Sequence, residues 1–146
     1  NHHPMTIPRQ TSFTRSLGVA VAAALVLLSG CATSYRPGSS EAIVKEKSLA
    51  RWDALIKGDF VAAYKMTQPA YRALIEADRY KNRFGGAAQW IDAEVVSVEC
   101  EPERCEVALS VKAYLPTVSV FKEPASTTVR ETWIKEEGAW WYYQRF

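Results

Sequence analysis

Around Gln89 the hydrophobic period of this chain changes. Before it, apolar residues recur every three or four positions; after it, they alternate. Two alternating runs, 90–100 and 105–115, are joined by Glu101, Pro102, Glu103 and Arg104, a loop length common in β-hairpins. Cys100 and Cys105 close the two runs. If they face each other, Val98 lies opposite Val107, Val96 opposite Leu109, Glu94 opposite Val111 and Asp92 opposite Ala113. Val107, Leu109, Val111 and Ala113 are all apolar, so this face is predicted to meet the core. Ser97 with Ala108 and Ala93 with Lys112 make the other face. A slip of one residue would turn every side chain over, and the cysteines and the apolar alternation select the same register.

The remaining elements follow from period and punctuation. A first helix is predicted over 41–57, with Val44, Ser48, Trp52, Leu55 and Ile56 near one face, Glu41 at its positive end and Gly58 just past its last turn. Asp59 suits the cap of a second helix, 60–66. Pro69 suits the first turn of a third, 69–75. A fourth, 78–84, stops at Gly85 and Gly86. After a looser connection, 116–126, a third strand spans 127–135, a turn runs through Glu136, Glu137 and Gly138, and a fourth strand spans 139–146. Trp52, Phe60, Tyr64 and Trp133 are predicted core. The last strand carries Trp140, Trp141, Tyr142 and Tyr143 on both its faces, and an outward pair would form a ligand or partner surface. The fold class is α+β, with short N-terminal helices packed on an antiparallel sheet of four long strands.

The N-terminal stretch is of another kind. Arg9 and Arg15 precede an uncharged apolar run, 17–28. As a helix that run rises about 18 Å, against a bilayer core of about 30 Å, so it reads as a secretory h-region rather than a span. Leu28, Ser29, Gly30 and Cys31 follow, and this junction resembles the lipobox of bacterial lipoproteins. The resemblance implies cleavage before Cys31, acylation of its sulfur and new amino group, and stable anchoring by several acyl chains. Ala32, where an aspartate would signal retention, implies the periplasmic side of the outer membrane. Residues 1–4 precede Met5 and are read as upstream of the true start. The expected organisation is a signal peptide at 1–30, acylated Cys31 with a tether to residue 40, and one domain at 41–146.

Cleavage changes the composition. Of 146 residues, 116 remain after the first 30 are removed; loss of Arg9 and Arg15 takes the net charge from +2 to zero. Such balance argues against a nucleic-acid footprint. His2 and His3 leave too, so the mature chain has no histidine, which excludes Ser-His-Asp and Cys-His catalysis and histidine-based metal sites. No metal or cofactor is expected. In an oxidising periplasm Cys100 and Cys105 are predicted to form a disulfide, and the C-x-x-C spacing of redox enzymes is missing. A bridge closing so short a loop stabilises by about 2 kcal/mol in the loop-entropy description, and mainly pins the register.

Two segments carry a family resemblance. RWDALIKGDFVAAYKMTQPAYR is similar to the opening helices of the nuclear transport factor 2-like superfamily, and ETWIKEEGAWWYY resembles its last hairpin. The resemblance covers 41–146 and implies a cone of helices on a strongly curved sheet, in many members with a pocket. That superfamily holds enzymes and non-catalytic modules, so fold leaves function open. An isomerase or dehydratase type of site would need a buried carboxylate base and a hydrogen-bond donor. Asp92 and Glu94, on the predicted apolar face, are the candidate bases, with Tyr64, Tyr71 or Tyr80 as donors. The competing readings are a non-catalytic envelope lipoprotein binding a protein partner or small apolar ligand, which the missing catalytic pattern favours, and a structural homodimer packed through its sheet.

Overall fold

The computed structural model describes residues 34–84, 89–114 and 123–146. Residues 1–31, on which the expected signal peptide and lipobox fall, lie outside the described residues. Among the described residues no helix is long and apolar enough to cross a membrane.

Four short helices lead into four strands. Helix α1 (Ser40–Ile56) starts where the Ser39 side chain accepts the Ala42 amide at 3.2 Å. It ends before Gly58, whose φ of 75° suits a residue without Cβ. Asp59 caps α2 (Phe60–Lys65) by accepting the Ala62 amide at 3.0 Å. Pro69 opens α3 (Pro69–Leu74), where its missing N–H costs nothing. Helix α4 (Ala77–Lys81) runs into a 3-10 turn, Asn82–Phe84. Strands β1 (Gln89–Glu101), β2 (Arg104–Tyr114), β3 (Ala125–Glu136) and β4 (Ala139–Tyr142) form one antiparallel sheet in that order. The expected α+β architecture stands.

The last strand is shorter than its alternation predicted. Beyond Tyr142 the chain turns to Gln68, whose side chain accepts the Gln144 amide at 2.7 Å and donates to the Gln144 carbonyl at 3.0 Å. The outer edge of β4 is covered as well: the Tyr142 amide donates to Met66 at 2.8 Å, and the Gln68 amide donates to Tyr142 at 3.0 Å. The β3–β4 hairpin turns on Glu137 and Gly138, with φ of 52° and 79°, the pair of positive values that matches strand twist.

The hairpin register is the main correction. Cys100 faces Cys105 and is bonded to it, Val98 faces Val107 and Ser97 faces Ala108, all as predicted. Then β1 bulges at Val96 and again at Ile91. Val95, not Val96, opposes Leu109; Ala93, not Glu94, opposes Val111; Trp90, not Asp92, opposes Ala113. On β2 the inward residues Cys105, Val107, Leu109, Val111 and Ala113 alternate without a break and all are buried. On β1 the extra residues leave Val96 58% and Ile91 38% exposed. The physical reason is charge. An unbroken register would press two carboxylates against buried apolar residues, a severe desolvation cost; the bulge at Val96 absorbs one residue and by itself turns both outward, and the one at Ile91 then sets Trp90 rather than Ile91 opposite Ala113.

The core lies between that face and the helices. Val44, Trp52 and Leu55 of α1, Tyr71 of α3 and Tyr80 of α4 pack with Val107, Leu109, Val111 and Trp133 of the sheet. Trp52 and Trp133 are buried, and Phe60 and Tyr64 pack against this cluster, as expected. The stretch 32–40 is not a free spacer throughout: the Tyr35 hydroxyl accepts the Val98 amide at 2.7 Å, and Ser39 and Ser40 begin α1.

Candidate functional site

The most concentrated chemistry of the described residues sits inside the core. Ser48, Arg51 and Trp52 occupy adjacent turns of the buried face of α1. Glu131 lies between Val129 and Trp133 on the inward side of β3. The helix lies across the sheet so that these two sets meet. Glu131 Oε1 accepts from Arg51 Nη1 at 2.6 Å and from Trp52 Nε1 at 2.8 Å. Glu131 Oε2 accepts from Ser48 Oγ at 2.7 Å and from Trp133 Nε1 at 3.0 Å. A carboxylate has about four acceptor positions, and all four are taken.

Aromatic groups enclose the cation. The Arg51 guanidinium lies 3.7 Å from the Tyr142 ring centre, and Arg51 Nη2 donates to the Tyr80 hydroxyl at 3.4 Å. Burial works against the Arg51 charge, but the Glu131 carboxylate, with help from Tyr80 and Tyr142, more than offsets it and holds the guanidinium above its ordinary pKa. Burial pushes the Tyr80 phenol up, and the neighbouring Arg51 charge offsets only part of that. The Tyr142 phenol is raised for the same reason and opposed by the same cation. Arg51 Nε and the Tyr71 hydroxyl are buried without a hydrogen-bond partner among the described residues.

This centre ties α1, α4, β3 and β4 together. It is unsuited to proton transfer: Glu131 is 2% exposed and has no lone pair left for a substrate. Its task is conformational. A buried ion pair whose carboxylate has all four acceptor positions filled tolerates one packing of helix on sheet, because any other leaves a charge unpaired.

The residues singled out from the sequence lie elsewhere. Asp92 and Glu94 are exposed rather than core-facing; Asp92, its side chain 57% exposed, pairs with Lys112 Nζ at 3.2 Å. Neither is the buried base that the unbroken register implied. The Tyr64 hydroxyl donates to the Ile75 carbonyl at 2.6 Å, Tyr80 meets Arg51, and Tyr71 is buried among aromatics. Of the four C-terminal aromatics, Trp140 is buried, Tyr142 covers Arg51, and Trp141 lies beside Lys47 and Arg72, 5.7 and 4.8 Å from its ring centre. Only Tyr143, 40% exposed, presents much of its ring to solvent.

Reading the sequence missed Glu131 and Arg51, although a signal existed. Ser48 and Arg51 stand three apart between Val44 and Leu55, on the face that must be buried. Glu131 shares the parity of Trp133. Polar residues at apolar positions on two elements are the mark of a buried pair.

A second feature is an open groove of about 320 Å³ between the C-terminal half of α1 and the start of β1. Leu49, Trp52, Ile56 and Ile91 line it, with Asp53 and Asp92. Asp53 is paired with Lys57 at 2.7 Å, so both carboxylates carry a cationic partner.

No family model matches this chain, and no curated protein matches it. Solved structures do. A SEC-C motif containing protein from Rhodopseudomonas palustris superposes with a TM-score of 0.51 at 18% identity, over 64% of this chain and 70% of that one. Another, from Psychrobacter arcticus, gives 0.50 at 17% identity over 64% of this chain; the chain spans 54% of that protein's length. A protein described as an NTF2-like transpeptidase, from Campylobacter jejuni, gives 0.49 at 11% identity, over 70% of this chain and 98% of that one. The likeness to the first two is one of fold.

Proposed function

We propose that this chain is a lipoprotein anchored at Cys31 to the periplasmic side of the outer membrane, whose nuclear transport factor 2-like domain has a non-catalytic binding role. The observation that carries the non-catalytic part is the saturation of Glu131: the carboxylate placed deep in the core accepts four internal hydrogen bonds and has none to offer a reactant. The outward placement of Asp92 and Glu94 supports the same reading. The Leu28–Cys31 junction supports the anchor. For the bound molecule, the α1–β1 groove has a volume near the lower end of the range for small-ligand sites, and its mixed lining sets Leu49, Trp52, Ile56 and Ile91 beside Asp53 and Asp92. It has room for a small ligand with an apolar part or one side chain of a protein partner.

The test uses the full chain made in a bacterium with two membranes. The intact mass of membrane-extracted protein should equal the chain from Cys31 onward plus acyl groups, and Cys31→Ala should move the protein to the soluble fraction. A mature N-terminus without acyl groups overturns the anchor. Native mass spectrometry should then find a small apolar ligand, or cross-linking in the envelope a partner, either one lost on Ile56→Asp in the groove. Neither appearing overturns the binding role.

A further inference from the structure

We propose that the outer edge of β1 is held shut against pairing with a second copy of this chain, with the Tyr35 hydroxyl as the latch and the Val96 bulge as the block. The two edges of the sheet are finished differently. Along β4 the segment 66–68 bonds to the strand through the backbone. Along β1, the other outer strand, no second strand pairs among the described residues. Unpaired N–H and C=O groups on a long edge are a template for another strand. Three obstacles stand along this edge instead.

The Val98 amide points away from β2, and the Tyr35 hydroxyl accepts it at 2.7 Å. The Tyr35 ring packs against the core, and the Lys45 ammonium lies 5.8 Å from its centre. An amide has one proton to donate, so an arriving strand must first displace this phenol. Two residues away the bulge at Val96 interrupts the ladder. A bulge bends the strand and raises its twist, which spoils the fit of a straight neighbour. The third obstacle is charge. Asp92, Glu94, Glu99 and Glu101 are all exposed on β1. A second copy laid antiparallel about the middle of the edge brings Asp92 of one near Glu101 of the other, and Glu94 near Glu99. Like charges across a strand pair are destabilising. The edge thus rejects its own kind.

The block is separable from the fold. Val95 faces Leu109, Ser97 faces Ala108 and Val98 faces Val107, so Val96 is the residue that the alternation does not need. Deleting it keeps Val95 and Val98 inward and Ser97 outward. The edge is straightened while Asp92 and Glu94 stay out of the core.

The experiment compares the full chain with Tyr35→Phe, with deletion of Val96, and with the two changes combined. Light scattering follows protein mass over a concentration series in about 0.5 M salt, which screens the carboxylates. Amide exchange follows Val98 and also Cys100, which faces outward like Val98 because the ladder is unbroken between them. The combined variant should rise to about twice the mass of the parent chain, as a two-fold pair does, with exchange at Cys100 slowing as it rises. Tyr35→Phe alone should keep the parent's mass and speed Val98 exchange roughly fivefold, the equivalent of one ordinary hydrogen bond. A combined variant that is folded by tryptophan fluorescence and stays at the parent's mass overturns the guard. So does a parent chain whose Cys100 amide becomes protected as its concentration rises, because its edge then pairs with latch and block in place. Should the combined variant fail to fold, Tyr35→Phe decides: unchanged Val98 exchange overturns the latch, and faster exchange supports it.

Discussion

Replacing Glu131 by glutamine isolates the energetic role of the buried centre. Glutamine keeps the volume and loses the charge. Its carbonyl oxygen fits best at the Oε1 position, where Arg51 and Trp52 are both obligate donors. Its NH2 group then occupies the Oε2 position, facing Ser48 and Trp133. Ser48 can rotate its hydroxyl and accept; the Trp133 indole cannot. Two buried N–H groups, one of the amide and that of the Trp133 indole, are left unpaired, and Arg51, its side chain 4% exposed, is left a cation without a counter-charge. Breaking a buried pair in this way costs about 3–5 kcal/mol, out of a total of about 5–15 for a domain. Urea unfolding followed by tryptophan fluorescence should show it. With a slope of about 2 kcal/mol per M, a 4 kcal/mol loss moves the midpoint down by about 2 M. Arg51→Met should also destabilise, and the double variant should lose less than the two single losses combined, with a coupling of about 2 kcal/mol. A loss below about 1 kcal/mol in Glu131→Gln, or additivity in the double variant, would refute the account of the centre as a conformational lock.

Three further outcomes are expected. Val96→Asp, at the bulge, should change stability by no more than about 0.5 kcal/mol, while Val95→Asp should cost more than 2 kcal/mol by burying a carboxylate; equal losses would restore the unbroken register. Tyr80 and Tyr142 have raised folded pKa values, so their contribution is complete below the unfolded value of about 10 and is lost as pH rises through the folded values. Stability should therefore fall from about pH 10 upward, and absorbance titration should lose a late-ionising component in Tyr80→Phe and in Tyr142→Phe. Glu137→Asn should raise thermal stability by about 0.5–1 kcal/mol, because asparagine tolerates the positive φ at that turn better than glutamate.

Short-range information carried far along this chain. The period change at Gln89, the cap Asp59, the proline at the start of α3 and the turn at Glu137 and Gly138 each act over a few residues, and each is visible in the residues concerned. So is the Cys100–Cys105 end of the hairpin, where six residues specify the closing pair. The errors began where the alternation of β1 met charge. Asp92 and Glu94 stood at inward positions of an unbroken register, which suggested that one of them was a buried base. They were instead the sign that the strand slips.

What the amino acids dictated locally was an α+β chain with a disulfide-closed hairpin and a helix carrying an apolar face. Three further matters depended on contacts between distant segments. The bulge at Val96 exists because α1 covers one face of β1, so that keeping Asp92 and Glu94 out of the core outweighs unbroken pairing. The Arg51–Glu131 centre joins groups 80 residues apart, and each charge is tolerable inside only because the other arrives with it. The Tyr35 tie depends on an amide that faces outward only once β2 has taken the other side of β1. Desolvation of charge and the pairing of backbone groups are settled by the whole packing around them, and no window of a few residues contains that packing.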